Sequence, residues 1–334
     1  MKLLVLSGQD VHALLGHRDC AEAMRSALTA LQAGKAQMPL RTVLKPQGAA
    51  GLVALMPSYL SAGAGPGGTD AAYGLKAICI TPTNPAAGLD THQGVVLLSS
   101  GSTGEPLALL NASAVTEIRT AAVSVVATGL LARPDADVLA VIGTGVQARS
   151  HAQALDESRN LRQIRLAGRE LAKSEQFAAS LRDQVQAPVV ACTSVREAVE
   201  GAGIVVTATS SADPVLDASW LAPGTHINAV GACLPTIREL DTATVARGVM
   251  FADARESVLT ESGDYLIAAQ EGAVTPAHIR AELGELLAAA APGRVTADEI
   301  TIFESLGLAV EDLAAARCAY EKAANTGAGA WIEF

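Results

Sequence analysis

The spacing of apolar residues divides the first part of the chain into three stretches. Residues 10–34 carry apolar side chains three and four positions apart, which predicts one amphipathic helix. From residue 41 to residue 110, short apolar runs are separated by Gly, Pro and Asn, which predicts strands of an antiparallel or mixed sheet. Residues 112–132 return to helical spacing, and the pair Arg133-Pro134 is a stop signal for that helix.

The next part of the chain alternates strand and helix patterns as far as about residue 255. The apolar runs that have the length of buried strands are 138–142, 163–167, 188–192, 203–208, 226–230 and 249–253. Strands that alternate with helices predict a doubly wound, mostly parallel sheet. After residue 257 the pattern is largely helical, including 303–313 and the residues onward to 324. The α/β sheet is therefore inserted between an N-terminal domain and a C-terminal helix.

The first strand of this sheet leads directly into a glycine turn. The turn has Gly-x-Gly-x-x-Ala spacing and consists of Gly143, Thr144, Gly145, Val146, Gln147 and Ala148. Gly143 permits the turn, Gly145 lets the backbone approach a pyrophosphate, and Ala148 keeps the helix close to the sheet. The amides at the start of that helix attract phosphate. The pattern predicts nucleotide binding, and the alternative is an ordinary strand-to-helix turn.

The end of the second strand indicates which dinucleotide is bound. Sites that prefer NAD usually end this strand in an Asp or Glu that binds the ribose hydroxyls. Here the strand 163–167 runs into Gly168 and Arg169, and Glu170 follows one position late. A guanidinium at this place suits the 2′-phosphate of NADP(H), so we expect NADPH, with NADH as the alternative. If Arg169 is only a solvated loop residue, both cofactors are used.

Length, composition and charge narrow the class of protein. A chain of 334 residues suggests two domains, and a hydrophobic share of 50% with 17% charged residues is typical of a globular α/β protein. Strongly apolar residues are not continuous over roughly 18 positions, so we expect no transmembrane helix and no membrane partner. The net charge of −10 argues against a nucleic-acid partner. The cysteines lack CxxC spacing, which indicates reduced thiols of a cytoplasmic protein and predicts no metal site.

Motifs from about residue 10 to residue 325 resemble those of the ornithine cyclodeaminase/mu-crystallin family. The segments that carry the resemblance are Leu55-Met-Pro57, Gly74-Leu-Lys76, Ile118-Arg-Thr-Ala-Ala122, Gly143-Thr-Gly-Val-Gln-Ala148, His226-Ile-Asn-Ala-Val-Gly-Ala232, Arg238-Glu-Leu-Asp241, Glu261-Ser-Gly-Asp264 and Ser305-Leu-Gly-Leu-Ala-Val-Glu-Asp312. The resemblance implies a Rossmann-type doubly wound parallel sheet inserted into a second, smaller α+β domain. We expect residues 1–118 plus 308–334 to form the smaller domain, which binds substrate and pairs two subunits. Residues 119–307 then form the NAD(P)-binding domain.

The family's members handle an imine or amine beside a carboxylate, and the resemblance assigns this chemistry to three cations. Arg41 and Arg119 match the carboxylate-binding arginines, and the planar guanidinium suits a carboxylate. Lys76 lies at the substrate in the family, where it acts in proton transfer or holds the carboxylate. We expect burial and the two arginines to lower the pKa of Lys76. Without this motif context, an arginine in such a sequence is more often a surface residue than a ligand. For Lys76 the alternative is an edge-strand lysine that faces water.

Two positions distinguish this chain from the cyclodeaminases of the family. Those enzymes carry a Glu just before the Leu-Met-Pro segment and an Asp two residues after the Val-Gly pair, where this chain has Ala54 and Cys233. Because ornithine cyclisation needs a carboxylate for the second amino group, their absence favours an NAD(P)H-dependent reductase of cyclic ketimines. It would convert Δ1-pyrroline-2-carboxylate to L-proline and Δ1-piperideine-2-carboxylate to L-pipecolate. The alternatives are a cyclodeaminase or alanine dehydrogenase-like enzyme, and a non-catalytic crystallin-like protein that binds NADPH and a small ligand.

The remaining assignments concern the pocket, the cofactor and the partners. The residues expected in the substrate pocket are Met56, Cys233 and Gly307. The further cofactor-binding residues implied by the family are Thr120, Thr207, Thr209, Ser210, Val230, Gly231 and Ser305. Asn111 is expected to cap the helix after it, and Asp312 to be a structural acid at the domain junction. The expected partners are a small imino acid, whose ring size depends on the loop 59–70 and on Leu234, and a second copy of the chain in a homodimer.

Overall fold

A computed structural model describes residues 2–64 and 70–334, so part of the loop 59–70 lies outside the described residues. The chain forms two compact units. Unit 1 comprises Met1–Arg119 and Gly307–Phe334, and unit 2 comprises Thr120–Leu306. These junctions differ by one residue from the boundaries expected from the sequence.

Unit 1 is built on a mixed sheet. Its strands are β1 (Lys2–Leu6), β2 (Ala36–Gln37), β3 (Thr42–Leu44), β4 (Leu52–Leu60), β5 (Ala72–Ile80), β6 (His92–Ser100), β7 (Pro106–Asn111) and β16 (Ala330–Glu333). The strand order is β16-β1-β7-β6-β5-β4-β2, with β3 paired to β4. Its helices are α1 (Gly8–Leu14), α2 (His17–Gln32) and α11 (Ala309–Thr326). The junction of the units falls within α3 (Ala112–Leu131), which Asn111 caps by accepting the N–H of Ala114, as expected.

The N-terminal helical stretch is two helices, so the prediction of one helix over 10–34 is wrong. The first begins after Ser7, whose hydroxyl accepts the N–H of Asp10. The second begins after Gly16, which has an extended backbone and separates the two. Apolar spacing continues through this break, which is why the pattern did not reveal it.

Helix α11 packs against β4, β5 and β6 and covers one face of the unit 1 sheet. On β5 the side chains that face this helix alternate with side chains on the opposite face. A Cβ at Gly74 would lie 2.9 Å from the Cβ of Leu313, so the glycine lets strand and helix approach closely. Lys76 lies two residues after Gly74 on the same face of β5, and α11 buries it.

Unit 2 is a doubly wound sheet in which every pair of strands is parallel, which confirms the predicted fold class. The strands are β8 (Val138–Ile142), β9 (Gln163–Ala167), β10 (Val189–Ala191), β11 (Ile204–Thr207), β12 (His226–Ala229), β13 (Val249–Ala252), β14 (Ile279–Glu282) and β15 (Thr301–Glu304). Their order in the sheet is β10-β9-β8-β11-β12-β15-β13-β14. The helices are α4 (Val146–Ser158), α5 (Leu171–Leu181), α6 (Val195–Val199), α7 (Thr242–Arg247), α8 (Arg255–Glu261), α9 (Gly263–Gln270) and α10 (Leu283–Leu287). The strand order reverses between β8 and β11, which is where open α/β sheets bind ligands.

Two strands of unit 2 lie where the sequence predicted helix. Strand β15 pairs with β12 on one side and with β13 on the other, and all of its residues are buried. The prediction of a helix from residue 303 is therefore wrong at its start, since α11 begins only at Ala309. A short, fully buried run has no alternation to separate strand from helix. Strand β14 pairs with β13 at the edge of the sheet and was also not predicted.

Helix α3 is long and apolar enough to cross a membrane, by length and composition only, although the sequence was expected to contain no such segment. In its most apolar 18-residue window, 72% of the residues are buried within the protein. Such burial is typical of a helix in a protein core and not of a helix that faces lipid.

Candidate active site

Lys76 is buried in the middle of the unit 1 sheet. Its strand, β5, pairs with β4 through Met56 and with β6 through Val96, so Lys76 does not lie on an edge strand. The residue is 3% exposed, and its Nζ lies 2.7 Å from Oδ2 of Asp312 on α11. An ammonium in such a place needs an anionic partner, and Asp312 supplies it.

The pKa of Lys76 is lowered, in the direction expected from the sequence. Burial is the largest cause, and the positive charges of Arg119 and Arg41 act in the same direction. The charge of Asp312 opposes them, and the pKa comes to about 8. A lysine of this kind is protonated at neutral pH but releases its proton easily, which suits it to acid–base chemistry.

Arg119 on α3 is 4% exposed and so is not a surface residue. Its Nε donates to Oδ1 of Asp312 at 3.1 Å, and its Nη1 donates to Oε2 of Glu311 at 2.9 Å. Asp312 therefore lies between Lys76 and Arg119. It belongs to unit 1, and its contacts are with the two candidate substrate-binding cations.

Gly307 allows the guanidinium of Arg119 to lie against the backbone. Its φ is +80°, and a Cβ there would come within 2.5 Å of both Nη atoms of Arg119. The carbonyl of Gly307 also accepts a hydrogen bond from Nη2 of Arg41 at 2.9 Å. Only glycine combines this backbone conformation with so close an approach. The structure thus brings Arg41, Lys76, Arg119 and Gly307 together in unit 1, as their candidate roles require.

Cations and carboxylates are interleaved in this part of unit 1. The cations are Lys76, Arg119 and Arg41, and the carboxylates are those of Glu311 and Asp312. We define the unit 1 cluster as these five residues.

Glu311 was not assigned a role from the sequence, although it lies in a quoted motif. It is fully buried, and its Oε2 also accepts the N–H of Leu308 at the start of α11. Two adjacent acids in the first turn of a helix are the signal that was available, since carboxylates stabilise helix N-termini. The helix start alone does not reveal that both acids bind Arg119.

His92 is the titratable neighbour of the cluster on β6. It is half-buried, and its pKa is lowered by burial first and then by the charges of Lys76 and Arg119. Its imidazole is therefore neutral at neutral pH. Of the other predicted pocket residues, Met56 is buried beside Lys76, whereas Cys233 is half-buried in unit 2 and packs against that unit's core.

The glycine turn of unit 2 has the geometry of a phosphate-binding loop. Gly143 has φ +127°, and a Cβ there would lie 2.4 Å from the carbonyl oxygen of Ala208. Gly145 is the N-cap of α4, and no heavy atom of the described residues lies within 4 Å of where its Cβ would be. Ala148 is fully buried against the sheet. The loop therefore leaves the helix N-terminus open to a pyrophosphate, so its residues fit a dinucleotide.

The other predicted cofactor residues of unit 2 lie at the carboxyl ends of neighbouring strands. Thr207, Thr209 and Ser210 end or follow β11, Val230 and Gly231 follow β12, and Ser305 follows β15. Thr120 lies on α3, at the beginning of unit 2. The N–H groups of Thr209 and Gly231 both donate to the carboxylate of Glu239, a residue to which the sequence assigned no role.

Arg169 is exposed at the end of β9, beside Glu170. The Nζ of Lys173 donates to Oε1 of Glu170 at 2.6 Å and lowers the pKa of that carboxyl. Both side chains of this pair are largely exposed to solvent. Across residues 2–64 and 70–334, we find no group of three His, Cys, Asp or Glu side chains that could hold a metal ion.

A family model described as the ornithine cyclodeaminase/mu-crystallin family matches residues 1–327. The chain belongs to this family. It is 38% identical to the ketimine reductase mu-crystallin of Mus musculus over 288 residues, which cover 86% of each protein. The family resemblance inferred from the motifs is confirmed.

Two solved structures of the family share the whole fold. The Δ1-pyrroline-2-carboxylate reductase of Thermococcus litoralis, solved in complex with NADH and L-proline, is 37% identical with a TM-score of 0.92, and the match covers 98% of this chain and 99% of that one. An archaeal alanine dehydrogenase, a dimer with bound NAD, is 31% identical with a TM-score of 0.92 over all of both chains. The Rossmann-type fold and the use of nicotinamide cofactors are thus properties of the family to which this chain belongs.

Proposed function

We propose that this protein is an NAD(P)H-dependent reductase of cyclic ketimines. Its reaction converts Δ1-pyrroline-2-carboxylate to L-proline and Δ1-piperideine-2-carboxylate to L-pipecolate. The observation that carries the proposal is the grouping of two guanidinium groups, Arg119 and Arg41, with the buried Lys76 whose pKa is about 8, which suits a substrate that has a carboxylate beside an imine. The similar proteins support it, since one is a ketimine reductase and another was solved with L-proline.

The substrate carboxylate binds to Arg119 and Arg41 in this proposal. Both guanidinium groups are held by the backbone or by acids of α11, so they are oriented before the substrate arrives. Preorganised donors avoid the cost of ordering flexible side chains during binding. The carboxylate of the substrate then fixes the position of the neighbouring C=N bond.

Reduction of a ketimine adds hydrogen at two atoms. The carbon of the C=N bond receives a hydride, its nitrogen receives a proton, and the product is a secondary amine. Lys76, with its pKa of about 8, supplies or positions that proton at the nitrogen, directly or through water. Asp312 holds the ammonium of Lys76 in place. The bound cofactor supplies the hydride.

The cofactor is NADPH, with NADH as the alternative. Gly143 to Ala148 would hold the pyrophosphate, and the residues after β11, β12 and β15 would hold the nicotinamide half. Arg169 offers a positive charge where a 2′-phosphate binds, which favours the phosphorylated cofactor.

The chain lacks the two acids expected of an ornithine cyclodeaminase. Ala54, at the first of these positions, is 3% exposed and lies in β4. Cys233 stands at the second and packs against apolar residues. With neither a Glu nor an Asp at these places, removal of the second amino group of ornithine has no general base there.

We further propose that the protein is a cytoplasmic homodimer. The two subunits pair through the face of the unit 1 sheet that is opposite α11. Leu55, Tyr73 and Val95 are 40%, 49% and 43% exposed on that face. Exposed apolar patches often mark protein–protein interfaces, and the similar alanine dehydrogenase is a dimer. Light scattering should give twice the chain mass, and replacing Leu55 and Val95 by Lys should give the monomer.

The experiment that tests the function compares two reactions of one preparation. Reduced nicotinamide absorbance is followed with Δ1-pyrroline-2-carboxylate and NADPH, and ammonia is measured with ornithine and NAD. We expect rapid oxidation of NADPH with the imine and no ammonia from ornithine. Ammonia and proline from ornithine would establish a cyclodeaminase instead. Tight binding of NADPH without turnover of cyclic or acyclic imino acids would favour a crystallin-like binding protein.

A further inference from the structure

Glu239 connects two loops of unit 2 through its carboxylate. Its Oε1 accepts the N–H of Thr209 at 2.6 Å, and its Oε2 accepts the N–H of Gly231 at 2.6 Å. Thr209 follows β11 and Gly231 follows β12, which are adjacent strands of the parallel sheet. Glu239 itself is fully buried. One carboxylate therefore fixes two strand ends relative to each other.

Gly231 lies closer to the Glu239 carboxylate than a residue with a side chain could. A Cβ at this position would lie 2.6 Å from both Cδ and Oε2 of Glu239, and 2.3 Å from the carbonyl oxygen of Thr209. Any larger residue would push the carboxylate away from one of its two donors. The glycine after β12 is thus fitted to Glu239.

Two further acids, Asp264 and Glu304, hold the loop that carries Glu239 in place. The N–H groups of Glu239 and Leu240 both donate to Oδ1 of Asp264, each at 2.8 Å. Asp264 lies in the first turn of α9, whose N-cap is Ser262. The hydroxyl of Ser262 donates to Oε1 of Glu304 at the end of β15, at 2.8 Å. The loop that carries Glu239 is thereby fixed to a helix that is itself fixed to a third strand end.

The three acids of this network are all buried. Burial raises the pKa of Asp264 to about 8, and burial is also the largest cause of the raised pKa of Glu304. Burial raises the pKa of Glu239 as well, but its two oxygens each accept a backbone N–H, which favours the ionised form. A buried carboxylate is costly, and two backbone donors compensate it.

We propose that Glu239 is a positioning residue for the nicotinamide cofactor: it holds the Thr209 and Gly231 loops in the arrangement that binds the dinucleotide. This inference rests on the proposed function, since both loops are cofactor-binding only by resemblance. Glu239 acts through the loops and does not itself touch the cofactor.

The test replaces Glu239 by Gln and compares it with a matched control. Glutamine keeps the shape, but one acceptor oxygen becomes an N–H donor that meets a backbone N–H. The control is Asp156→Asn, because Asp156 is 7% exposed and also accepts two backbone N–H groups, from Gln186 at 2.6 Å and from Ala187 at 3.0 Å. Those donors precede the amino end of β10, away from the carboxyl ends of the strands.

NADH and NADPH binding is measured by nicotinamide fluorescence without substrate, and thermal unfolding is measured on the same samples. We expect both variants to lower Tm by similar amounts. For Glu239→Gln we expect the Kd of the dinucleotide to rise about tenfold, because the two loops lose the charged acceptor that they share. For Asp156→Asn we expect a Kd within about twofold of wild type, because its loop is not at the cofactor edge.

The possible results separate this inference from the proposed function. A wild-type protein that binds neither dinucleotide overturns both. A wild-type protein that binds, together with a Glu239→Gln variant of unchanged Kd, overturns the inference alone. If Glu239→Gln does not fold, amide hydrogen exchange of the wild type decides: cofactor should slow exchange at Thr209 and Gly231 together. Unchanged exchange at both amides overturns the inference.

Discussion

The Nζ of Lys76 lies 2.7 Å from Oδ2 of Asp312, and both residues are almost completely buried. The same carboxylate accepts a hydrogen bond from Arg119 through its other oxygen. Asp312 therefore opposes the loss of the lysine proton that burial and the two arginines promote. Together these effects bring the pKa of Lys76 to about 8, where an enzyme that works near neutral pH can use its proton.

The first prediction concerns the pH dependence of imine reduction. Lys76 is protonated below its pKa of about 8 and neutral above it, so a proton-donating role requires kcat/KM to fall as the pH rises through about 8. The Lys76→Arg variant stays protonated and should show no fall at that pH. Measurement of kcat/KM from pH 6 to pH 10 with wild type and variant provides the check; a fall that persists in Lys76→Arg would assign it to another group.

The same shift makes a prediction for stability. The pKa of Lys76 is lower in the folded protein than in the unfolded chain, so the unfolded state binds more protons between about pH 8 and pH 10.5. Lys76 therefore contributes a rise in the free energy of unfolding as the pH increases through that window. Urea unfolding across the window should show a smaller rise for Lys76→Met than for wild type. Equal slopes would mean that the lysine pKa is not lowered.

Gly307→Ala should weaken substrate binding, an effect that backbone strain alone does not explain. A side chain at φ +80° costs about 1–3 kcal/mol, and the new methyl also meets the guanidinium of Arg119. The control is Gly272→Ala, which has φ +78° with nothing among the described residues within 4 Å of the added Cβ. We expect both to lose stability, but only Gly307→Ala to raise the KM of the imino acid. An equal KM in both would contradict the placement of Arg119.

Arg41→Ala should weaken substrate binding with little effect on folding. Arg41 is half-buried and donates to the carbonyl of Gly307. Loss of a charged hydrogen bond of ~1.5–3 kcal/mol corresponds to about a ten- to hundredfold higher KM for the imino acid. The exposed Lys45→Ala is the control for removal of a nearby charge, and steady-state kinetics at fixed salt compares them. Equal KM values for the two variants would remove Arg41 from the site.

Arg169→Ala should change the choice of cofactor. If Arg169 binds the 2′-phosphate, its loss raises the KM for NADPH by about tenfold or more and leaves the KM for NADH unchanged. The exposed Arg182→Ala is the control for charge removal on the same unit. The ratio of kcat/KM values for the two cofactors is the measurement; an unchanged ratio would show that Arg169 is a solvated loop residue.

Much of unit 2 could be predicted from the sequence because its strands are buried, β-branched runs with helical patterns between them. All six predicted runs, from 138–142 to 249–253, are strands. Strand β15 could not be predicted in the same way, since Thr301–Glu304 is buried on both faces and continues toward a helix. The position of β15 between β12 and β13 could not be predicted either, because the order of the strands is a property of the whole sheet.

The cations of the candidate site could be predicted by resemblance, but their partners could not. Arg119 and Asp312 are 193 positions apart, and only the packing of α11 brings them together. The same holds for Glu239, whose short spacing from Gly231 gives no sign that the carboxylate also binds Thr209. Contacts of buried acids with backbone N–H groups leave no pattern in the sequence.

The origin of the hydrogen in the product tests the proposed reaction most directly. The protein is incubated with Δ1-pyrroline-2-carboxylate and NADPH that carries deuterium at its reactive C4 position, and the proline is analysed by mass spectrometry and NMR. We expect L-proline with one deuterium at C2, formed in equal amount to the NADP produced. Proline without deuterium, or oxidation of NADPH without proline, would contradict hydride transfer to the imine carbon.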